Sequence, residues 1–370
     1  MNSTPFIPVS EPDIGELELR YVTEAVRSGW VSSIGPFVDR FEAQFARFCG
    51  VKHAIAVSNG TTALHVALLA LGVGPGDEVI IPDLTFVATG NAVLYCGAKP
   101  VLADVSPDTW CIDPAAVERA ITPRTKAVLP VHLYGHPADM DAILALARPR
   151  NIAVIEDAAE AHGAKYRGRM VGGIGDIGCF SFYGNKILTT GEGGMVTTND
   201  DHLASRVRFL KDHAMDPHRR YFHPEVGYNY RMTNLQAALG CAQLERAEEL
   251  LAKRRRVMDA YREALSGLDG VQLNPRAPWA EPVPWMVCLV QDRVPTNVLA
   301  ARLREHGIDT RPFFVPMHEL PAFRCSHRLA DSASRMLATR GLNLPSAPRL
   351  VSSDVHRISG ALSLPLRSEL

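Results

Sequence analysis

The chain reads as a two-domain α/β protein: a large domain whose mostly parallel sheet lies between helices, then a smaller C-terminal α/β domain. Three observations predict this. Between residues 53 and 155, short apolar runs alternate with amphipathic stretches, the pattern of a parallel sheet covered on both faces. Two further apolar runs, Cys179–Phe182 and Met195–Thr198, flank a polar, glycine-punctuated loop that carries Lys186. The length, 370 residues, exceeds what one hydrophobic core organises. Residues 1–240 are expected to form the large domain with N-terminal helices. Residues 241–370 are expected to supply a linking helix and the small domain.

Taken in order, Gly15–Ser28 reads as an amphipathic helix, and a second helix runs from about Phe37 to Phe48 after the loop Trp30–Pro36. His53–Val57 is a strand, Ser58-Asn-Gly60 a turn, and Thr61–Leu71 a helix stopped by Gly72. Strand Glu78–Ile81, helix Ala88–Tyr95 and strand Pro100–Ala103 follow. Asp113-Pro114 opens the next helix as an N-cap with proline at the first helical position. Strand Lys126–Val131, helix Met140–Ala147 and strand Ile152–Ile155 complete the alternation. Helix Asp200–Asp212, a basic aromatic loop His218–His223 and one long helix, about Asn234–Leu265, precede the small domain. That domain has a strand near Pro284–Val290 and a helix Thr296–His306.

Composition narrows the function. Hydrophobic content of 46%, charged content of 21% and a net charge of -1 describe a soluble globular chain with no electrostatic reason to bind nucleic acid or an anionic membrane. Met1–Ser10 lacks a basic region followed by an apolar run, and no apolar run is long enough to span a bilayer, so neither a leader nor a membrane span is expected. Seven scattered cysteines without a CxxC pair support neither a disulfide framework nor a metal site, and fit reduced thiols in the cytoplasm.

In open α/β sheets, ligands sit beyond the carboxyl ends of the strands, so those ends supply the candidates. Gly60, Thr61 and Thr62 open a helix after a strand, which suits either a phosphate or a plain N-cap. Phe86 follows another strand and suits either a ring cover or core. Asp157 ends a buried strand and needs a cation, from a protein side chain or from a protonated ring nitrogen. Ser181 can bind phosphate or be structural. Lys186, held between buried strands, can lose its proton and attack a carbonyl carbon. An amine for an aldehyde, an acid for a ring nitrogen, a ring cover and phosphate donors together match the handles on pyridoxal phosphate.

These stretches also carry a resemblance. Ser58-Asn-Gly-Thr-Thr-Ala-Leu64, Glu156-Asp-Ala-Ala-Glu-Ala-His-Gly163, Phe180-Ser-Phe-Tyr-Gly-Asn-Lys186, Gly191-Glu-Gly-Gly194 and Gly227-Tyr-Asn-Tyr-Arg231 resemble the fold-type I aminotransferases of the DegT/StrS sugar-aminotransferase family. The resemblance implies an aspartate-aminotransferase-like large domain and pyridoxal phosphate bound to Lys186. It implies that Asp157 pairs with the ring nitrogen, Phe86 stacks on the ring and Glu160 lies near the ring hydroxyl. Relatives vary at the Glu160 position between glutamine, histidine and glutamate. Gly60, Thr61 and Ser181 would hold the phosphate, joined by Asn229 from a second subunit of a homodimer.

The implied reaction moves an amino group from L-glutamate to a nucleotide-linked 4-keto-6-deoxy sugar, for O-antigen or another surface glycan. Trp30-Val-Ser-Ser33, Val131-His-Leu-Tyr-Gly-His136, Tyr228-Asn-Tyr-Arg-Met-Thr-Asn234 and Thr310-Arg-Pro-Phe-Phe314 are similar to members that make a GDP-linked 4-amino sugar. UDP- or dTDP-linked 3- or 4-keto sugars are the alternatives, as is a non-catalytic sensor of the same fold. Arg219, Arg220, His223 and Arg231 are candidates for the substrate's diphosphate, or an ordinary surface loop. His318 and Arg311 either line the sugar pocket or belong to a core or domain interface.

Overall fold

The computed structural model describes residues 5–323 and 332–367; Cys325 lies outside them. The large sheet is built from β1 (His53–Val57), β2 (Glu78–Pro82), β3 (Lys99–Ala103), β4 (Thr125–Val128) and β5 (Ala153–Asp157). After the short ribbon strands β6 (Lys165–Tyr166) and β7 (Arg169–Met170), the chain returns to it with β8 (Ile177–Ser181) and β9 (Gly194–Thr198). Seven strands lie in the order β1-β9-β8-β5-β4-β2-β3. All run parallel except β9, which is antiparallel to both β1 and β8. Every residue of β2, β8 and β9 is buried, as expected of strands covered on both faces.

The helices of this domain are α1 (Glu16–Arg27), α2 (Pro36–Cys49), α3 (Gly60–Ala70), α4 (Ala88–Tyr95), α5 (Pro114–Ala120), α6 (Met140–Ala147) and α7 (Asp201–Lys211). The expected start signals operate: the Asp113 side chain accepts from Ala115 N at 3.1 Å with Pro114 at the first helical position. Several spans differ from the sequence reading, β8 among them, which runs Ile177–Ser181 and not Cys179–Phe182; two more bear on the site. β4 stops at Val128 because Pro130 has no N–H to continue the ladder, and Val131 only bridges to Asp157. β5 runs on to Asp157, whose main chain pairs with Cys179 and is thereby fixed.

The long helix is two helices, α8 (Asn234–Glu245) and α9 (Ala247–Ala264), parted at Arg246 (φ -96°, ψ 7°). Apolar periodicity continues across that break, so the pattern conceals it. What anchors it is tertiary: the Arg246 guanidinium binds Asp13 and Glu18 of the N-terminal segment, each at 2.7 Å. Beyond lie β10 (Val271–Leu273), β11 (Ala280–Glu281), β12 (Val287–Gln291), α10 (Thr296–Glu305), β13 (Arg311–Pro312), α11 (Ala333–Arg340), β14 (Gly341–Leu344) and α12 (Ser352–Arg367). β10, β12, β14 and β13 form a four-stranded antiparallel sheet. It shares a second hydrophobic cluster with α9, α10 and α12, including Tyr261, Leu289, Leu303, Leu344 and Ile358. No helix of the described residues is long and apolar enough to cross a membrane.

One buried charge shows how the sheet edge is held. Glu78 opens β2 at 2% exposure, with its carboxylate accepting from the Thr122 hydroxyl, from Arg124 at 2.7 Å and from Lys99 at 3.2 Å. The Thr122 hydrogen bond first, then Arg124, hold its carboxyl down at about 2. A depressed folded value adds stability above the unfolded pKa that fades as pH falls from about 4.5 toward 2. Allowing for screening of the exposed Arg124 and Lys99, Glu78→Gln should cost about 2 kcal/mol at pH 7. In urea unfolding the gap between variant and wild type should narrow at pH 3. An equal gap at both pH values would refute this account.

Candidate active site

The register of the sheet gathers the candidates. Val57 at the end of β1 and Ser181 at the end of β8 both pair with Gly194, so the turn into α3 lies beside Ser181. A Cβ on Gly60 would fall 2.7 Å from the Ser181 Cβ, so this approach requires glycine. Asn59 caps α3, accepting from Thr62 N at 2.9 Å, and the Thr62 hydroxyl donates back to Asn59 O at 2.8 Å. Thr62 is therefore committed to the cap. The Thr61 hydroxyl and the amides of Gly60 and Thr61 have no acceptor among the described residues. With the positive end of the α3 dipole and the Ser181 hydroxyl beside them, they form a cradle suited to phosphate.

Adjacent acids on β5 show opposite chemistry. Glu156 is fully satisfied by His132 Nε2 at 3.0 Å and by the amides of Gly172, Ile174 and Gly175 at 2.8, 2.6 and 2.7 Å. The His132 Nδ1 accepts from Ala138 N, which leaves Nε2 as the donor to Glu156. Burial pushes the Glu156 carboxyl up, but these donors outweigh it and hold it below its ordinary value. Asp157 is 5% exposed and receives only the Thr89 hydroxyl at 2.9 Å and Ala159 N at 3.2 Å. Among the described residues no cation lies within ion-pair distance of it, and burial raises its pKa. A buried carboxylate with room for one more positive partner fits the protonated nitrogen of a pyridine ring.

Lys186 lies in the loop between β8 and β9, fixed by its N–H to Tyr183 O at 2.9 Å. Its Nζ is 3.6 Å from Glu160 Oε1 and 3.7 Å from the centroid of the Trp285 ring. Burial lowers the pKa of the amine against the pull of Glu160 and Asp157, favouring the neutral nucleophile. Glu160 accepts from Tyr134 N at 2.8 Å, and burial raises its pKa against the pull of Lys186. Phe86 is 53% exposed and meets Phe314, with ring centroids 5.7 Å apart.

The structure thus brings together Lys186, Asp157, Glu160, Ser181, Gly60 and Thr61, with Phe86 at the rim. Asn229 is exposed and makes no side-chain hydrogen bond among the described residues. Arg219 and Arg220 lie on an exposed loop, over the rings of Phe222 and Tyr221 at 4.3 and 5.0 Å. Arg231 pairs with Asp212, and His223 bonds His213 O at 2.8 Å. Arg311 sits in the small domain, bonded to Asp309 at 2.6 Å. The His318 ring is bound to Asp83 at 2.7 Å.

Trp285, Tyr134 and Thr89 escaped the sequence reading as individual residues. Trp285 donates from Nε1 to Asn185 O at 2.8 Å and so also grips the backbone beside Lys186. Tyr134 lies in a strand-end stretch already under suspicion, and Thr89 only three positions beyond Phe86. For Trp285 the sequence offers no local signal. No group of three or more potential metal ligands occurs among the described residues.

The fold and this amine-and-acid site define a pyridoxal-phosphate enzyme, and comparison with known proteins places it further. Residues 12–363 match the DegT/DnrJ/EryC1/StrS aminotransferase family, and the chain belongs to that family. It is 50% identical to GDP-perosamine synthase of Caulobacter vibrioides, over 98% of this chain and 99% of the relative. GDP-perosamine synthase of Escherichia coli O157:H7 is 45% identical over 95% of this chain and 96% of the relative. Among solved structures, S. venezuelae DesV superposes with a TM-score of 0.92 at 37% identity, covering 99% of this chain and 100% of that one.

Proposed function

We propose that the enzyme transfers the amino group of L-glutamate to the C4 carbonyl of GDP-4-keto-6-deoxy-D-mannose, giving GDP-perosamine. The observation that carries aminotransfer is a buried Lys186, its pKa lowered by burial, together with a buried Asp157 that has no cation within ion-pair distance among the described residues. The choice of sugar nucleotide is supported by the likeness to the two GDP-perosamine synthases.

Bound pyridoxal phosphate supplies an aldehyde that carries the amino group and a ring that takes up electrons when the donor's Cα–H bond breaks. The chain does the rest. Lys186 Nζ would hold the cofactor through its aldehyde carbon and, when free, would accept the donor's Cα proton as general base and return it as general acid. Asp157 holds the ring nitrogen in its charged form. Glu160 would meet the ring hydroxyl, Phe86 would cover the ring, and Gly60, Thr61 and Ser181 would bind the phosphate. Thr62 supports that cradle by capping α3. Arg219, Arg220 and Arg231 supply positive charge for the diphosphate. The six described cysteines are free and buried, which fits a reducing cytoplasm.

We place a second copy of the chain against exposed apolar side chains, among them Trp30, Val31, Ile34, Tyr95, Tyr221 and Phe222. Trp30 borders the start of α8 through Asn234 Nδ2 to Trp30 O at 2.8 Å, close to Asn229 in sequence. Asn229 of the partner subunit then reaches the phosphate. Lys186→Ala and Asn229→Ala subunits are each inactive on this reading. Random mixing restores about a quarter of wild-type activity, because half the dimers are mixed and each has one intact site. No restoration in mixed dimers would place Asn229 in its own subunit's site, and an active Asn229→Ala homodimer would place it outside any.

The substrate assignment is tested with nitrogen-15-labelled glutamate and GDP-, UDP- and dTDP-linked keto sugars, read by mass spectrometry. Label should enter the GDP-linked 4-amino sugar fastest. Faster labelling of another nucleotide sugar overturns the GDP assignment, and labelling of none overturns aminotransfer.

A further inference from the structure

Asp83 follows β2, three residues before Phe86, and is wholly buried. It takes no part in the chemistry above, yet three hydrogen bonds from one segment of the C-terminal half converge on it. Met317 N donates to its carbonyl at 2.7 Å, His318 N to Oδ1 at 2.9 Å, and the His318 ring Nδ1 meets Oδ2 at 2.7 Å. Beside this clasp, Met317 and Phe323 pack against α4 at Gly90, where an added Cβ would lie 2.3 Å from Met317 Cε. Gly90 directly follows Thr89, the hydroxyl donor to Asp157. Four residues before His318, the Phe314 ring contacts Phe86 and stacks on Tyr134 at 5.5 Å and 12°. Tyr134 in turn bonds Glu160 and stacks on Trp285, the ring over Lys186.

We propose that Asp83 and His318 are positioning residues that clasp the segment Phe313–His318 over the site and so fix Phe314 against Phe86 and Tyr134. The inference rests on the reading of Phe86 as the ring cover. It assigns His318 to the clasp: the ring is 7% exposed on its side chain, with Nδ1 turned to Asp83 and Nε2 buried away from solvent. A wholly buried carboxylate gripped by one main-chain and one side-chain arm, with a further main-chain donor on the carbonyl of the same residue, holds position far better than a surface contact. A misplacement of about 1 Å at a site of this kind costs up to about 100-fold in rate.

The test compares wild type with Asp83→Ala, His318→Ala and Asp83→Asn, the last retaining an acceptor for His318 N. Hydrogen exchange of the peptide containing residues 313–318, without cofactor, reads the clasp itself. Visible circular dichroism of the enzyme saturated with pyridoxal phosphate reads ring placement. Asp83→Ala and His318→Ala should lose protection in that peptide, lose at least about half the dichroic band, and lower kcat about ten-fold or more with little change in KM for glutamate. Asp83→Asn should restore most of all three.

If Asp83→Ala does not fold, His318→Ala carries the test, since the Asp83 carboxylate then keeps the main-chain N–H of residue 318 and the Asp83 carbonyl keeps Met317 N. Unchanged exchange in both variants overturns the clasp. Lost protection with an unchanged dichroic band and kcat overturns its positioning role. Absence of any visible band in wild type overturns the cofactor reading instead, while the exchange result still decides the clasp.

Discussion

Replacing Lys186 by alanine is expected to lower transamination by about 10⁴-fold or more while the fold survives. The side chain makes no hydrogen bond that holds the loop, whose anchors are main-chain: Lys186 N to Tyr183 O at 2.9 Å and Phe182 N to Gly193 O at 2.8 Å. Its loss leaves the buried Glu160 with Tyr134 N as a donor, and burial, which already raises the pKa of that carboxyl, favours its neutral form. Thermal unfolding of the variant without cofactor should therefore lie close to wild type. Borohydride reduction after incubation with pyridoxal phosphate should fix the cofactor to the peptide carrying Lys186 in wild type, and to no peptide in the variant. Retained turnover, or fixation elsewhere, would remove Lys186 from the chemistry.

Asp157→Asn is expected to have effects of opposite sign on activity and on stability. The substitution is isosteric: Oδ1 can accept from Ala159 N and Nδ2 can donate to the Thr89 hydroxyl oxygen, whose own proton turns to the Thr85 hydroxyl, so the geometry of β5 persists. It removes the one negative charge able to hold a ring nitrogen protonated, and kcat should fall about 10³-fold. Without cofactor, however, that buried carboxylate has no ion-pair partner among the described residues, and burial raises its pKa above the ordinary value of 3.8. An acid whose folded pKa is raised subtracts stability once pH exceeds its unfolded value. The cofactor-free asparagine variant should therefore be more stable than wild type at pH 7, by about 1 kcal/mol or more in denaturant unfolding. At pH 3, where the wild-type carboxyl is also neutral, the difference should shrink. An asparagine variant that is less stable and fully active would show that Asp157 is a structural residue.

Much of this site can be read along the chain because each residue closes a strand. Asp157, Ser181, Gly60 and Lys186 follow apolar runs, and one parallel sheet aligns such ends by construction. What escapes the linear reading depends on contacts made through space. Trp285 reaches Lys186 from beyond three intervening helices of the chain, and neither its neighbours nor its spacing record the encounter. The same holds for the clasp on Asp83, whose partner lies 235 positions away. The antiparallel run of β9 was implied by the hairpin-like pattern around Lys186, but its place between β1 and β8, which sets the phosphate cradle, was not. The division of labour between Thr61 and Thr62 required coordinates, since adjacent threonines look alike in sequence while only one is used by the cap.

The central claim, that Lys186 and Asp157 make this chain a glutamate-dependent aminotransferase, is tested most directly by the visible absorbance of the purified enzyme with pyridoxal phosphate. The account predicts a visible band that moves to shorter wavelength when glutamate is added and returns when GDP-4-keto-6-deoxy-D-mannose follows, with Lys186→Ala showing no such cycle. A band that glutamate leaves unmoved, or the absence of any visible band at saturating cofactor, would contradict it.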